Sequence, residues 1–112
     1  MTLEVLAVDD SRTMRDMIRV ALEPRGFTVH TADDGLHGID VLGGIIPDAI
    51  ITDINMPRLD GFGFIQAVRD QEMHRATPIL VLTTEAAASA AELHSDNGAT
   101  LRLRAMPYSM DA

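Results

Sequence analysis

Two hydrophobic periods alternate along this chain. Three short runs are almost continuously apolar: Leu3-Glu4-Val5-Leu6-Ala7-Val8, Ala49-Ile50-Ile51-Thr52 and Ile79-Leu80-Val81-Leu82. Their length and β-branched content predict strands. The segments between them carry apolar residues at helical spacing. Ser11 can cap a helix with Met14, Met17, Ile18, Ala21 and Leu22 on one face, and Gly26 is placed to end it. Phe27 to Thr31 reads as a second strand. Asp33 or Asp34 can cap a helix carrying Leu36, Ile39 and Leu42, ended by Gly43-Gly44. Asp60 can cap another, with Phe64, Ile65 and Val68 on its buried face, and Pro78 opens the fourth strand. The alanine-rich residues 85–96 predict a fourth helix, and Leu101-Arg102-Leu103 a weak fifth strand. Eight residues follow Arg104, too few for a full last helix, which is expected to be missing or reduced.

Alternation of strands and helices predicts βαβ units around a parallel sheet. Near-continuous apolar strands fit burial on both faces, as such a sheet requires. Ligands in these sheets bind beyond the carboxyl ends of the strands. The polar residues that end the three apolar runs are Asp9-Asp10, Asp53 and Thr83-Thr84. The chemistry is therefore expected in one crevice.

Length and composition narrow the class. The 112 residues predict one domain, 1–112, large enough for a real core. A net charge of -8 argues against nucleic acid as a partner. The absence of cysteine excludes disulfides and thiolate metal sites and fits a cytoplasmic location. No leader pattern opens the sequence, so no signal peptide is expected. No run approaches the ~20 apolar residues of a membrane span, so no membrane insertion is expected.

Two or three converging carboxylates repel one another and stay ionised at neutral pH only beside a cation. Oxygen ligands without His or Cys favour Mg²⁺, which keeps waters and binds one or two carboxylates plus a phosphate. A carboxylate beside that metal can attack phosphorus and form an acyl phosphate. Thr83 could donate its hydroxyl to a phosphoryl oxygen. The neighbours have plainer uses. Asp60 and Thr84 read as helix caps, Met56-Pro57 as a turn, and Glu85 as a solvated helix start. Met14, Met17 and Met106 read as packing residues. His30, His37, His74 and His94 lack ligand spacing and are expected at the surface.

Taken together, Val8-Asp9-Asp10-Ser11, Asp53-Ile54-Asn55-Met56-Pro57 with Asp60-Gly61, and Ile79-Leu80-Val81-Leu82-Thr83 carry a resemblance. From Leu3 to about Thr84, roughly three-quarters of its length, the chain resembles a response-regulator receiver domain, most like the single-domain chemotaxis receivers. The resemblance implies a flavodoxin-like doubly wound sheet of order 2-1-3-4-5. It implies that Asp53 accepts a phosphoryl group from a histidine kinase and that signalling passes to a protein target, a motor or a kinase. Mg²⁺ would be held by Asp10, Asp53 and the backbone carbonyl of Asn55, with Asp9 acting mainly through a water. Thr83 would be the switch hydroxyl. Such a protein is not an enzyme beyond its own phosphorylation and dephosphorylation.

After Thr84 the chain departs from the family pattern. Gly98-Ala99-Thr100 still matches the turn before the fifth strand. The family's lysine, however, has no counterpart, because all nine basic residues are arginine. Anchoring on Pro107 puts Met106 at the lysine position, and anchoring on Gly98 puts Ala105 there. The aromatic switch position would be Leu103. A missing last helix would leave a few hundred Å² of apolar sheet wet, forfeiting several kcal/mol at ~25 cal/mol per Å². A homodimer or a partner chain is therefore expected to cover that face.

Three functions compete at this stage. One is a phosphorylated switch. A second is a lysine-less pseudo-receiver, acting as a constitutive binding module or phosphate sink. The third is an aspartyl phosphatase, disfavoured because Asn55 stands where its second acid belongs.

Overall fold

The computed structural model describes residues 2–82, 90–94 and 100–105. Four strands, β1 (Leu3–Val8), β2 (Phe27–Ala32), β3 (Ala49–Thr52) and β4 (Ile79–Leu82), form a parallel sheet in the order β2-β1-β3-β4. Helices α1 (Arg12–Leu22), α2 (Gly35–Leu42) and α3 (Gly61–Asp70) lie on its two sides.

The central strand explains this layering. Val5 to Val8 are all buried. Val5 and Ala7 pack with Ile18, Ala21 and Leu22 of α1, and with Val29 and Ile51. Leu6 and Val8 point the other way, into a cluster with Leu42, Ile50, Phe64, Ile65, Val68 and Ile79. A strand covered on both faces has no position left for a polar side chain, hence the continuous apolar run. The three expected helix starts form through their caps. The side chain of Ser11 accepts from the Met14 N–H, Asp34 from His37 and Asp60 from Gly63. Helix α1 ends at Leu22, and a 3₁₀ turn over Glu23–Arg25, with Pro24 inside it, leads to Gly26 at φ 93°. That left-handed conformation is cheap only for glycine.

Three expectations are corrected. Leu36 is not on the buried face of α2. It is half exposed, and the helix is buried instead at Gly35, Gly38 and Leu42. The small residues let α2 approach its neighbours closely, and that approach sets the phase of the helix. His74 is buried, not at the surface. Its carbonyl and that of Thr77 accept from the buried Arg69 guanidinium at 2.8 and 2.6 Å. The third correction lies beyond β4. Within the expected fourth helix, Ala90–His94 is a strand, β5. It pairs antiparallel with β6 (Thr100–Ala105), which itself lies antiparallel to β4. The sheet order is thus β2-β1-β3-β4-β6-β5. The expected fifth strand falls inside β6, beside β4, but runs the opposite way. Alanine's helix preference is a weak prior that strand pairing overrides. Five residues separate β5 from β6 in the sequence, whereas a parallel crossover takes about a dozen residues or more. The expected reduced last helix falls at residues 106–112, outside the described residues.

Candidate functional site

Register brings the acidic residues together. Val8 pairs with Thr52 at the ends of β1 and β3, so Asp9 and Asp53 are the next residues on adjacent strands. The ladder continues one step further, with the Asp53 N–H donating to the Val8 carbonyl at 2.9 Å and the Asp9 N–H to that of Ala32 at 3.1 Å. Between β1 and β3 the chain also reverses its direction of travel across the sheet, which makes this the switch-point crevice of the fold. Carboxylate oxygens of Asp9, Asp10 and Asp53 lie within 4.8 Å of one another there.

The three differ in environment. Asp9 is buried, Asp53 half-buried and Asp10 exposed. Asp9 Oδ1 accepts from the Ser11 N–H at 2.8 Å, and Arg15 donates to the Asp9 carbonyl at 2.7 Å. Asp53 Oδ1 accepts from the Ile54 N–H at 2.8 Å. Burial pushes the Asp9 carboxyl up to about 6, the Ser11 N–H opposes that rise, and the charges of Asp53 and Asp10 add to it. A buried carboxylate facing two others favours a cation between them. Its oxygen-only donors match the hard, small Mg²⁺ rather than a softer metal.

Helix α3 is seated directly on this site. The Gly61 N–H donates to the Ile54 carbonyl at 2.8 Å. A Cβ on Gly61 would stand 2.2 Å from the Asp53 carbonyl oxygen and 2.7 Å from Ile54 Cα. Asn55 follows in the same loop, exposed. Asp60 is the cap of α3, as expected, and not part of the cluster. Thr83, Thr84, Glu85 and Met106 lie outside the described residues. Ala105 pairs with Leu80, two residues before the end of β4, so it does not stand at the site edge where the missing lysine was sought. Sequence reasoning did not single out Arg15. Its signal was spacing, one helical turn beyond the Ser11 cap and so facing back toward the end of β1.

Residues 5–103 match the response regulator receiver domain family. The chain belongs to this family, whose members are the receiver modules of two-component systems. Among solved structures it is similar to the chemotaxis response regulator CheY4 of Vibrio cholerae. Identity is 44%, coverage is 78% of this chain and 72% of that one, and the TM-score is 0.74. The signal receiver domain of a histidine kinase from Syntrophus aciditrophicus is 29% identical over 78% of this chain and 66% of that one, with a TM-score of 0.71. Among characterised relatives, the sensor histidine kinase CheAY of Helicobacter pylori is 44% identical over 82 residues, 71% of this chain. The response regulator MprA of Mycobacterium bovis is 36% identical over 99 residues, 88% of this chain. The chain spans only 10% and 42% of the lengths of those two proteins.

Proposed function

We propose that the chain is a phosphorylatable signalling receiver in which Asp53 takes a phosphoryl group from the histidine of a kinase. The observation that carries this is the convergence of Asp9, Asp10 and Asp53 within 4.8 Å at the carboxyl ends of β1 and β3. An Asp53 carboxylate oxygen forms a bond to phosphorus as the phosphorus–nitrogen bond of the donor histidine breaks, and the imidazole keeps the electron pair and takes up a proton. The Ile54 N–H fixes the rotamer of Asp53, so the nucleophile is oriented before the donor arrives. Asp9, Asp10, Asp53 and the Asn55 carbonyl would hold Mg²⁺, which when bound offsets negative charge on the transferring group. Ser11 and Arg15 hold Asp9 through its carboxylate and its carbonyl. Thr83 would be the hydroxyl that reads the phosphoryl group. The names of the relatives, a chemotaxis response regulator and a histidine kinase among them, support a chemotaxis-type output through protein contact.

The test is phosphorylation with a small phosphodonor, with and without Mg²⁺, in wild type and Asp53→Ala, followed by intact mass. The expected result is one added phosphoryl group that needs Mg²⁺ and is lost in Asp53→Ala. A phosphoryl group that persists in Asp53→Ala refutes the assignment. Amide-proton NMR of the phosphorylated form addresses the absent lysine: shifts at β4 and β6 mark a switch, and shifts confined to Asp53 and its neighbours mark a phosphate sink.

A further inference from the structure

The loop from Asp53 to Asp60 contains a feature that the proposed chemistry does not use. Arg58 has φ 66°, the only positive φ among the described non-glycine residues. The Leu59 N–H donates across it to the Pro57 carbonyl at 2.8 Å. A three-residue turn closed around a positive φ is the rare, strained kind of γ-turn. Glycine would take this conformation freely, yet a long cation stands there.

The neighbouring helix explains what holds the turn. Asp34, almost fully buried, divides its carboxylate. Oδ1 accepts from the His37 N–H at 2.8 Å and caps α2, and Oδ2 accepts from Arg58 Nε in a charged hydrogen bond. The next residue adds a second tie, the Gly35 N–H donating to the Leu59 carbonyl at 3.1 Å. A Cβ at Gly35 would stand 2.4 Å from that carbonyl oxygen, so only glycine permits this seat. The guanidinium holds the Asp34 carboxyl below the usual carboxylate range, with help from the His37 N–H. The strained turn is thus clamped to the start of α2 at two consecutive residues, Arg58 and Leu59. The opposite end of the same loop carries Asp53 and Asn55.

We propose that Arg58, through its pair with Asp34, is a positioning residue for magnesium: it holds the strained turn in the conformation that presents the Asn55 carbonyl to the acidic cluster. This rests on the magnesium reading above. Side chains that orient metal ligands without touching the metal commonly change affinity by ten- to a hundredfold when removed.

The test is Mg²⁺ titration of wild type, Arg58→Gly, Asp34→Asn and the double variant, followed by amide-proton NMR shifts. Thermal midpoints in EDTA are measured alongside. Arg58→Gly removes the guanidinium while accepting the positive φ, so the fold is kept. Asp34→Asn keeps an efficient helix cap and removes the charge. Each single variant is expected to weaken Mg²⁺ binding about tenfold, with the double variant no weaker than either, because both act through one contact. Singles that bind within about twofold of wild type overturn the inference. So does a lower thermal midpoint with unchanged affinity, which marks the pair as purely structural. A wild type that takes up no Mg²⁺ at all refutes the site reading itself, and this inference with it.

Discussion

Replacing Gly61 by alanine tests whether the seat of α3 on Asp53, the proposed phosphoacceptor, matters to the chemistry. The added methyl would lie 2.2 Å from the Asp53 carbonyl oxygen, 2.7 Å from Ile54 Cα and 3.0 Å from the Asp53 carbonyl carbon. All three are backbone atoms, so no rotamer change relieves the contact. Ordinary separation requires Asp53 and α3 to part by about 1 Å, and misplacement of that size can lower a rate about 10²-fold. Overpacking of this kind costs about 1–3 kcal/mol. Alanine's better helix propensity returns at most about 1 kcal/mol. The expected net loss is about 1–2 kcal/mol by urea unfolding, with a roughly hundredfold slower Mg²⁺-dependent phosphorylation by a small phosphodonor.

Gly63→Ala is the control. It lies in the same first turn of α3, and its Cβ would also meet an atom closely, at 2.5 Å. That atom is Leu59 Cδ1, the far end of a flexible side chain that can rotate away. Gly63→Ala should therefore unfold within about 1 kcal/mol of wild type and keep its phosphorylation rate. Gly61→Ala phosphorylating as fast as Gly63→Ala would refute the claim that α3 fixes the acceptor backbone.

Three more outcomes follow from the same structure. Burial pushes the His74 imidazole below its ordinary range. As pH falls through about 6.5 the unfolded chain therefore takes up a proton that the folded one refuses, and stability is lost; His74→Gln should show a smaller loss between pH 7.5 and 5.5 in urea titrations. Asp9 has the opposite sign: with its carboxyl raised from 3.8 to about 6, its contribution is intact below pH 3.8 and is lost as pH rises through 6. In EDTA at pH 7.5, Asp9→Asn should therefore exceed wild type by about 2–3 kcal/mol, the gap closing near pH 4, and Mg²⁺ should raise the wild-type midpoint but not that of the variant. Phe64, fully buried between α2 and the sheet, should cost about 3–5 kcal/mol when cut to alanine, read from the urea midpoint.

Legibility in the sequence followed the strength of local constraint. A strand buried on both faces is apolar at nearly every position, so β1, β3 and β4 could be read as near-continuous apolar runs, broken only by Glu4 and Thr52. Caps obey strict local chemistry, and Ser11 and Asp60 were readable for that reason. The site was legible because it sits at strand ends, where one polar residue interrupts an apolar run. What failed depended on partners distant in sequence. Leu36 has helical spacing, but the phase of α2 is set by how closely Gly35 and Gly38 allow it to approach Leu59, Val8 and Phe64. A lone histidine carries no pattern that distinguishes the buried His74 from a surface one. The alanines around β5 favour a helix in isolation, and only pairing with Thr100–Ala105 makes a strand. Asn97-Gly98 between the two segments was a hairpin signal available to outweigh them. The turn at Arg58 was invisible, because nothing in Pro57-Arg58-Leu59 announces a positive φ.

Stability and function pull against each other at the carboxyl ends of the two strands β1 and β3. Asp9 holds a carboxyl that burial raises to about 6, so its surroundings resist the charged form that prevails at neutral pH. Helix α3 leaves no room for a methyl group behind Asp53. Arg58 occupies a backbone conformation that costs about 1–3 kcal/mol for a residue other than glycine. The buried Arg69 and His74 apart, these unfavourable terms gather where β1 and β3 end. A ligand that binds only the folded state offsets such terms in proportion to its occupancy. A divalent cation between Asp9, Asp10 and Asp53 would remove the carboxylate repulsion and stabilise the charged form of Asp9 at once. Metal binding, folding stability and readiness for phosphorylation should then rise together with pH above about 6. The metal-free protein, by contrast, loses stability as the Asp9 carboxyl ionises.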